Sequence, residues 1–190
     1  LQAGDRWLLS LPWSHVSGLG ILFRCALAGA TVVIPNRQNS LADDMARLSI
    51  THVSLVPTQL KRVLSDSASP ATQLRACLLG GAALPPRLVQ QAAGQGWPVH
   101  TTYGLTEMGS QVTTTAPGAT ASELQTSGRV LPGRELKIGL ENEILVRGDT
   151  LFQGYCRPYQ LERPLDEAGW FHTGDQGELT TDGLLRVWGR

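Results

Sequence analysis

Lysine is nearly absent from this 190-residue chain: fourteen of its sixteen basic residues are arginines, and Lys61 and Lys137 are the only two lysines. Any chemistry that needs an ammonium group therefore has two candidates. Net charge is absent as well, since sixteen Asp and Glu balance sixteen Lys and Arg. That excludes a strongly basic nucleic-acid binder. No long apolar run exists, because Arg24 interrupts the best stretch, residues 19–35. Nothing reaches the roughly 18 apolar residues of a membrane-spanning helix, and no signal-peptide pattern is present. The three cysteines, Cys25, Cys77 and Cys156, form no C-x-x-C pair, which fits neither a disulfide framework nor a zinc site. A reducing, cytoplasmic compartment is the expectation. Charged residues make up only 17% against 42% hydrophobic, a balance that supplies a sizeable core and argues against disorder.

The pattern present divides the chain in two. Residues 1–127 alternate short β-branched or apolar runs with helical stretches. Strands are expected at 7–11, 31–35, 51–56, 74–79 and 99–103. Helices are expected at 18–28, stopped by Gly29, at 41–49 behind an Asn39-Ser40 cap, at 58–64 and at 86–93. Such alternation favours a largely parallel α/β sheet. Residues 113–127, rich in Thr, Ala, Ser and Gly, read as a connecting loop. Residues 128–190 hold short β-rich pieces at 135–138, 143–147, 177–180 and 184–188, with Asp182-Gly183 as a hairpin signal between the last two. The fold class expected is an α/β unit, its sheet partly parallel with flanking helices, followed by a β-rich, barrel-like subdomain. Leu1 is not a methionine and Arg190 falls inside a strand-and-turn pattern, so the chain reads as a piece of a longer protein.

Four clusters carry chemistry. Tyr103-Gly104-Leu105-Thr106-Glu107 follows a strand and combines a ring that can stack on a base, a glycine that permits close backbone approach, a hydroxyl and a carboxylate able to hold a hard cation. It is equally an ordinary strand-to-helix turn with Thr106 as cap. Gly80-Gly81-Ala82-Ala83 allows a flat ring against the backbone, or is a bare turn. Gly169-Trp170-Phe171-His172-Thr173-Gly174-Asp175 displays a carboxylate suited to two ribose hydroxyls, or simply an Asp in a turn. Pro12-Trp13-Ser14-His15-Val16-Ser17-Gly18 places a histidine in a loop, where a structural role is the commoner one. Arg24 is conspicuous within Ile21-Leu22-Phe23-Arg24-Cys25-Ala26-Leu27. A guanidinium there needs either a protein carboxylate, such as Asp43 or Asp44, or an anionic ligand.

Together, in this order, the clusters resemble the adenylate-forming family of acyl-CoA synthetases, luciferases and adenylation domains. Residues 103–107 match its Y-G-x-T-E motif, residues 169–175 its G-W-x-x-T-G-D motif, Gly148 through Gly154-Tyr155 its G-x(n)-G-Y segment, and Gly189-Arg190 the start of its hinge motif. Residues 11–18, 55–60 and 78–85 are similar to the branch that makes o-succinylbenzoyl-CoA for menaquinone biosynthesis. Trp13 and Ser14 depart from that branch just before the histidine. The resemblance implies an acid-thiol ligase using ATP, Mg²⁺ and coenzyme A, with o-succinylbenzoate or another acyl or aryl acid as substrate. A non-catalytic nucleotide- or acyl-binding remnant is the alternative. By motif, Gly80, Gly81, Ala82, Tyr103, Gly104, Asp175 and Arg190 would bind the nucleotide, with Thr106 at the α-phosphate and Glu107 on the metal. His15, Ser17, Gly18 and Arg24 would face the acid, with His15 also serving the thioester step. The family's phosphate-loop lysine and C-terminal lysine have no counterpart in Lys61 or Lys137, so the 190 residues alone are expected to be inactive. Oligomeric state is open, a homo-oligomer included.

Overall fold

The structure, a computed structural model, describes residues 1–36, 38–66 and 69–190. Five strands form the parallel part of a seven-stranded sheet: β1 (Arg6–Leu8), β2 (Thr31–Val33), β3 (His52–Leu55), β4 (Ala76–Leu79) and β5 (Val99–Leu105). Two antiparallel strands, β6 (Ser110–Thr114) and β7 (Arg129–Val130), extend it, giving the order β2-β1-β3-β4-β5-β6-β7. Four helices make the crossovers: α1 (Val16–Ala28), α2 (Leu41–Arg47), α3 (Pro57–Asp66) and α4 (Pro86–Gly94).

Strand alternation decides which face each residue serves. Trp7 joins Ile21 and Cys25 beneath α1, whereas its neighbour Leu8 joins the larger cluster of Val53, Leu55, Leu60, Val63, Leu79 and Val89 beneath α3 and α4. Local signals behave as their chemistry demands. Ser40 Oγ accepts from Asp43 N at 3.1 Å to cap α2, and Gly29, at φ +64°, ends α1 in the left-handed region.

The second sheet is antiparallel throughout, in the order β13-β12-β9-β8, from β8 (Arg134–Ile138), β9 (Glu143–Gly148), β12 (Phe171–Leu179) and β13 (Leu185–Gly189). A hairpin of β10 (Tyr155–Arg157) and β11 (Gln160–Glu162) stands beside it. Tyr103, Met108 and Val112 from the first sheet pack with Ile144, Val146, Phe171 and Leu185 of the second. One buried cluster therefore locks the end of β5 to β9 and β12.

Two expectations need correction. Residues 113–127 are not all loop, because β6 turns back at Gly109, at φ +63°, and pairs with β5. Thr113 and Thr115 are buried in this region, and their hydroxyls are bonded to backbone, so only the first residues of the stretch, Thr113 and Thr114, belong to the sheet, and the rest is loop with one 3₁₀ turn at Glu123–Gln125. The stretch around Asp175 is not a turn either. It lies within β12, whose pairing with β9 shifts register between His172 and Gln176. Such a bulge re-aims a side chain without ending the strand.

Candidate active site

The parallel strands all deliver their carboxyl ends to one edge of the sheet: the 9–15 loop follows β1, Val56 follows β3, Gly80-Gly81 follows β4, and Thr106-Glu107 follows β5. Open α/β sheets bind ligands at such an edge. Two clefts open there. The first, of about 580 Å³, is lined by Gly81, Ala82, Tyr103, Glu107, Asp175 and Arg190 among others. The second, of about 500 Å³, is lined by His15, Ser17, Arg24, Ser54, Gly80 and Gln111 among others. Gly81, Thr102, Gly104, Leu105 and Thr106 line both, so the end of β5 is their common wall. Each volume lies in the range of small-molecule sites.

The first cleft is organised by charge pairs far apart in sequence. Tyr103 donates its hydroxyl to Asp175 Oδ2 at 2.8 Å, and Arg190 Nε donates to Asp175 Oδ1 at 2.8 Å. Asp175 N in turn donates to Thr173 Oγ1 at 3.0 Å, while Thr173 Oγ1 donates to the Ile144 carbonyl at 2.7 Å. The bulge is thus pinned to β9. Burial pushes the Tyr103 phenol well above its ordinary pKa, keeping it a neutral donor. Glu107 sits in a short 3₁₀ turn, Thr106–Met108, and accepts the Tyr155 hydroxyl on Oε1 at 2.7 Å. That bond is also the first cause of the raised Tyr155 pKa.

Gly104 and Gly80 owe their identity to the protein's own packing. A Cβ on Gly104 would lie 1.9 Å from the Ser110 carbonyl oxygen, and one on Gly80 would press on Thr102 at 2.9 Å. Gly18 likewise is buried against the Pro12 carbonyl, where a Cβ would sit at 2.2 Å, and it does not line the second cleft. Its neighbours do. His15 N-caps α1 with its backbone and stays exposed at the cleft mouth, with Ser17 just inside.

Arg24 lines the second cleft, and no carboxylate pairs with it among the described residues. Asp44 is occupied by Asn36 N and Asn39 Nδ2, at 2.7 and 2.8 Å, and Asp43 by Ser40. The guanidinium instead lies 5.8 Å from the Trp7 ring centroid. Burial first, and then the nearby Arg134 guanidinium, lowers its pKa. The protein-pair account offered from the sequence is therefore not realised.

Sequence patterns missed several residues. Thr102 and Gln111 line the second cleft from β5 and β6, bonded to each other at 3.2 Å. Gln125 lines the first cleft with a buried side-chain amide nitrogen that has no partner among the described residues. No motif flags them, because each is placed by strand pairing or by a turn remote in sequence.

Glu107 fits a magnesium ion in one particular way. Among the described residues no group of three His, Cys, Asp or Glu side chains could hold a metal, so a cation here would rely on at most two protein side chains, Glu107 among them. Mg²⁺ in nucleotide sites uses one or two carboxylates plus phosphate oxygens and water.

Open α/β sheets with clefts at their strand carboxyl ends include many nucleotide-binding proteins. Residues 1–156 match the AMP-binding enzyme family, and the chain belongs to it. It is 44% identical over 186 residues to the 2-succinylbenzoate–CoA ligase of Escherichia coli strain K12, covering 98% of this chain and 39% of that relative. The o-succinylbenzoate CoA synthetase of Bacillus subtilis, solved with the acyl-adenylate intermediate OSB-AMP, superimposes with a TM-score of 0.90 at 32% identity, over 100% of this chain and 53% of that one. The same enzyme solved with ATP and a magnesium ion gives 0.88 at 32% identity, over 98% and 42%. The chain spans about two fifths of the length of the curated relatives it matches.

Proposed function

We propose that the protein containing these residues is a ligase that activates o-succinylbenzoate with ATP and passes the acyl group to coenzyme A. In the first step a carboxylate oxygen of the acid attacks the α-phosphorus of ATP, forming an acyl-adenylate as pyrophosphate leaves. In the second the coenzyme A thiol adds to the acyl carbon and AMP departs with the bonding pair. The observation carrying this reading is the pair of clefts that share the β5 end, since an acyl-adenylate needs a nucleotide cavity and an acid cavity meeting at the reacting atoms.

The chain's own groups divide the work. Tyr103 would stack on the adenine against Gly81 and Ala82, with Gly80 behind them keeping the turn close to Thr102, and Asp175 with Arg190 would hold the ribose. Thr106, at the common wall, would donate to the α-phosphate as charge develops there, a fixed donor of the kind that supplies most of such catalysis. Glu107 would hold Mg²⁺, which neutralises phosphate charge when bound. Arg24 would pair with the acid's second, unreacting carboxylate, while His15 and Ser17 shape the mouth through which the acid and thiol enter, and Gly18 lets the chain pack against the Pro12 carbonyl behind them. We keep residues 1–127 and 128–190 as the two functional subdivisions, and place the enzyme in the cytoplasm, in menaquinone biosynthesis.

Pyrophosphate release by the full-length protein, assayed with a panel of acids, tests the assignment: o-succinylbenzoate is expected to be turned over fastest and to depend on coenzyme A for thioester formation. Faster turnover of a benzoate or a fatty acid would hand the second cleft to another substrate, and no turnover of any acid would favour a binding remnant. The 190 residues alone are expected to stay at background, because neither Lys61 nor Lys137 lines either cleft.

A further inference from the structure

Tyr155 closes the glycine-tyrosine segment of the sequence and lines neither cleft, yet it reaches across 48 residues to bond Glu107 at 2.7 Å. The grip is double. Phe152 N donates to the Glu107 backbone carbonyl at 2.7 Å, so one four-residue stretch holds both the main chain and the side chain of the same glutamate. That stretch is itself braced. The Phe152 ring meets the Tyr155 ring edge-on at 4.8 Å and the Phe171 ring at 5.5 Å, which ties it to the cluster beneath β9 and β12. Gly154, at φ +139°, brings the chain so close to β11 that a Cβ would lie 2.4 Å from the Glu162 carbonyl oxygen. Arg157 then lies over the far side of the hairpin, 5.8 Å from the Tyr155 ring centroid and paired to Glu162 at 3.0 Å.

We propose that Tyr155 is a positioning residue for the divalent cation, fixing the Glu107 carboxylate by its Oε1 so that the other oxygen is presented to the nucleotide cleft. The inference rests on the reading of Glu107 as the cation's protein ligand. Its physical basis is that a free glutamate side chain must surrender rotamer freedom when it binds a cation, whereas one already held by a hydrogen bond has surrendered it on folding. Partners that orient a ligating carboxylate typically govern metal affinity by 10- to 100-fold.

Tyr155→Phe removes the hydroxyl and keeps the ring that packs on Phe152. In the full-length protein with a non-hydrolysable ATP analogue, Mn²⁺ titrated by electron paramagnetic resonance should bind about tenfold more weakly. The KM for Mg²⁺ should rise in parallel, with melting behaviour and the KM for the acid unchanged. Phe152→Leu, which loosens the packing but keeps the phenol, should leave Mn²⁺ affinity nearer wild type than Tyr155→Phe does. The reverse order would reduce Tyr155 to a packing residue and overturn the proposal. So would wild-type Mn²⁺ affinity in Tyr155→Phe alongside its loss in Glu107→Gln. If Glu107→Gln also kept wild-type affinity, the assignment of Glu107 to the cation would itself have failed, and the proposal with it.

Discussion

The two clefts share a wall but treat charge in opposite ways. In the first cleft each carboxylate already has protein partners: Asp175 holds Tyr103 and Arg190, and Glu107 holds Tyr155. In the second cleft the conspicuous charge, Arg24, has no paired carboxylate among the described residues, and its neighbours include the Trp7 ring and the Arg134 guanidinium. The first cleft is therefore geometrically prepared before any ligand arrives, at the cost that a ligand reaching Asp175 must share or displace existing hydrogen bonds. The second stores an uncompensated guanidinium, whose partly desolvated charge is a standing preference for an anion.

The contrast breaks most sharply if Arg24 is replaced. Arg24→Leu in the full-length protein should raise the KM for o-succinylbenzoate strongly, a loss on the order of 2 to 4 kcal/mol if the carboxylate is left unpaired. The KM for ATP should hardly move. A folded variant with normal kinetics toward the acid would take Arg24 out of substrate selection and erase the asymmetry between the clefts.

Asp175→Ala probes the opposite side with a somewhat smaller effect. Each charge-assisted hydrogen bond to the ribose is worth at most about 1.5 to 3 kcal/mol, and part of that is offset because Tyr103 and Arg190 already occupy the carboxylate in the empty protein. ATP affinity and the adenylation rate should fall together, with acid binding measured without nucleotide unchanged. Asp175→Asn, which retains an acceptor, should be intermediate. If isothermal titration showed ATP binding undiminished in both, the ribose assignment would be wrong.

These two cases also mark how far the sequence was readable. Strands β1 to β5 announced themselves because β-branched and apolar runs bounded by Gly and Pro are what a buried parallel sheet requires. Hairpin β10–β11 gave no such signal, since every one of its strand residues is exposed and burial leaves no pattern. Strand β12 was legible only from Gly177 onward; its first part was hidden by Gly174, and Gly174 and Gly177, turn-forming residues, here accompany a bulge and a close approach to Arg186. The site divides similarly. Tyr103, Thr106 and Glu107 were legible because they are neighbours in sequence, and the family motifs supplied their company. The bonds that hold Tyr103 and Glu107 join residues 72 and 48 positions apart, and no spacing rule encodes a contact made only when two sheets pack. Glycine was the least informative signal. At Gly104 and Gly18 the missing Cβ makes room for the protein's own backbone.

Gln125 sharpens the comparison with the smallest effect and the most specific signature. It lies at the end of a short 3₁₀ turn, Glu123–Gln125, and lines the first cleft. Its amide nitrogen is the one place in that cleft where a buried donor lacks a partner among the described residues. An unsatisfied buried donor typically costs about 1 to 3 kcal/mol, so in the empty protein it should be a liability that an acceptor nitrogen of the purine would relieve. Gln125→Leu keeps a similar volume and deletes the donor. The two consequences have opposite signs: the ligand-free variant should melt no lower than wild type, or slightly higher, while ATP binds about fivefold more weakly, the equivalent of about 1 kcal/mol. A purely structural glutamine would give the reverse, a lower melting temperature with unchanged ATP affinity. Measuring both by thermal shift, with and without ATP, decides between them, because only a ligand-directed donor makes the nucleotide-induced shift shrink as the empty protein becomes more stable. Such a result would show that even the prepared cleft keeps one bond in reserve for its ligand, as the acid cleft does with Arg24.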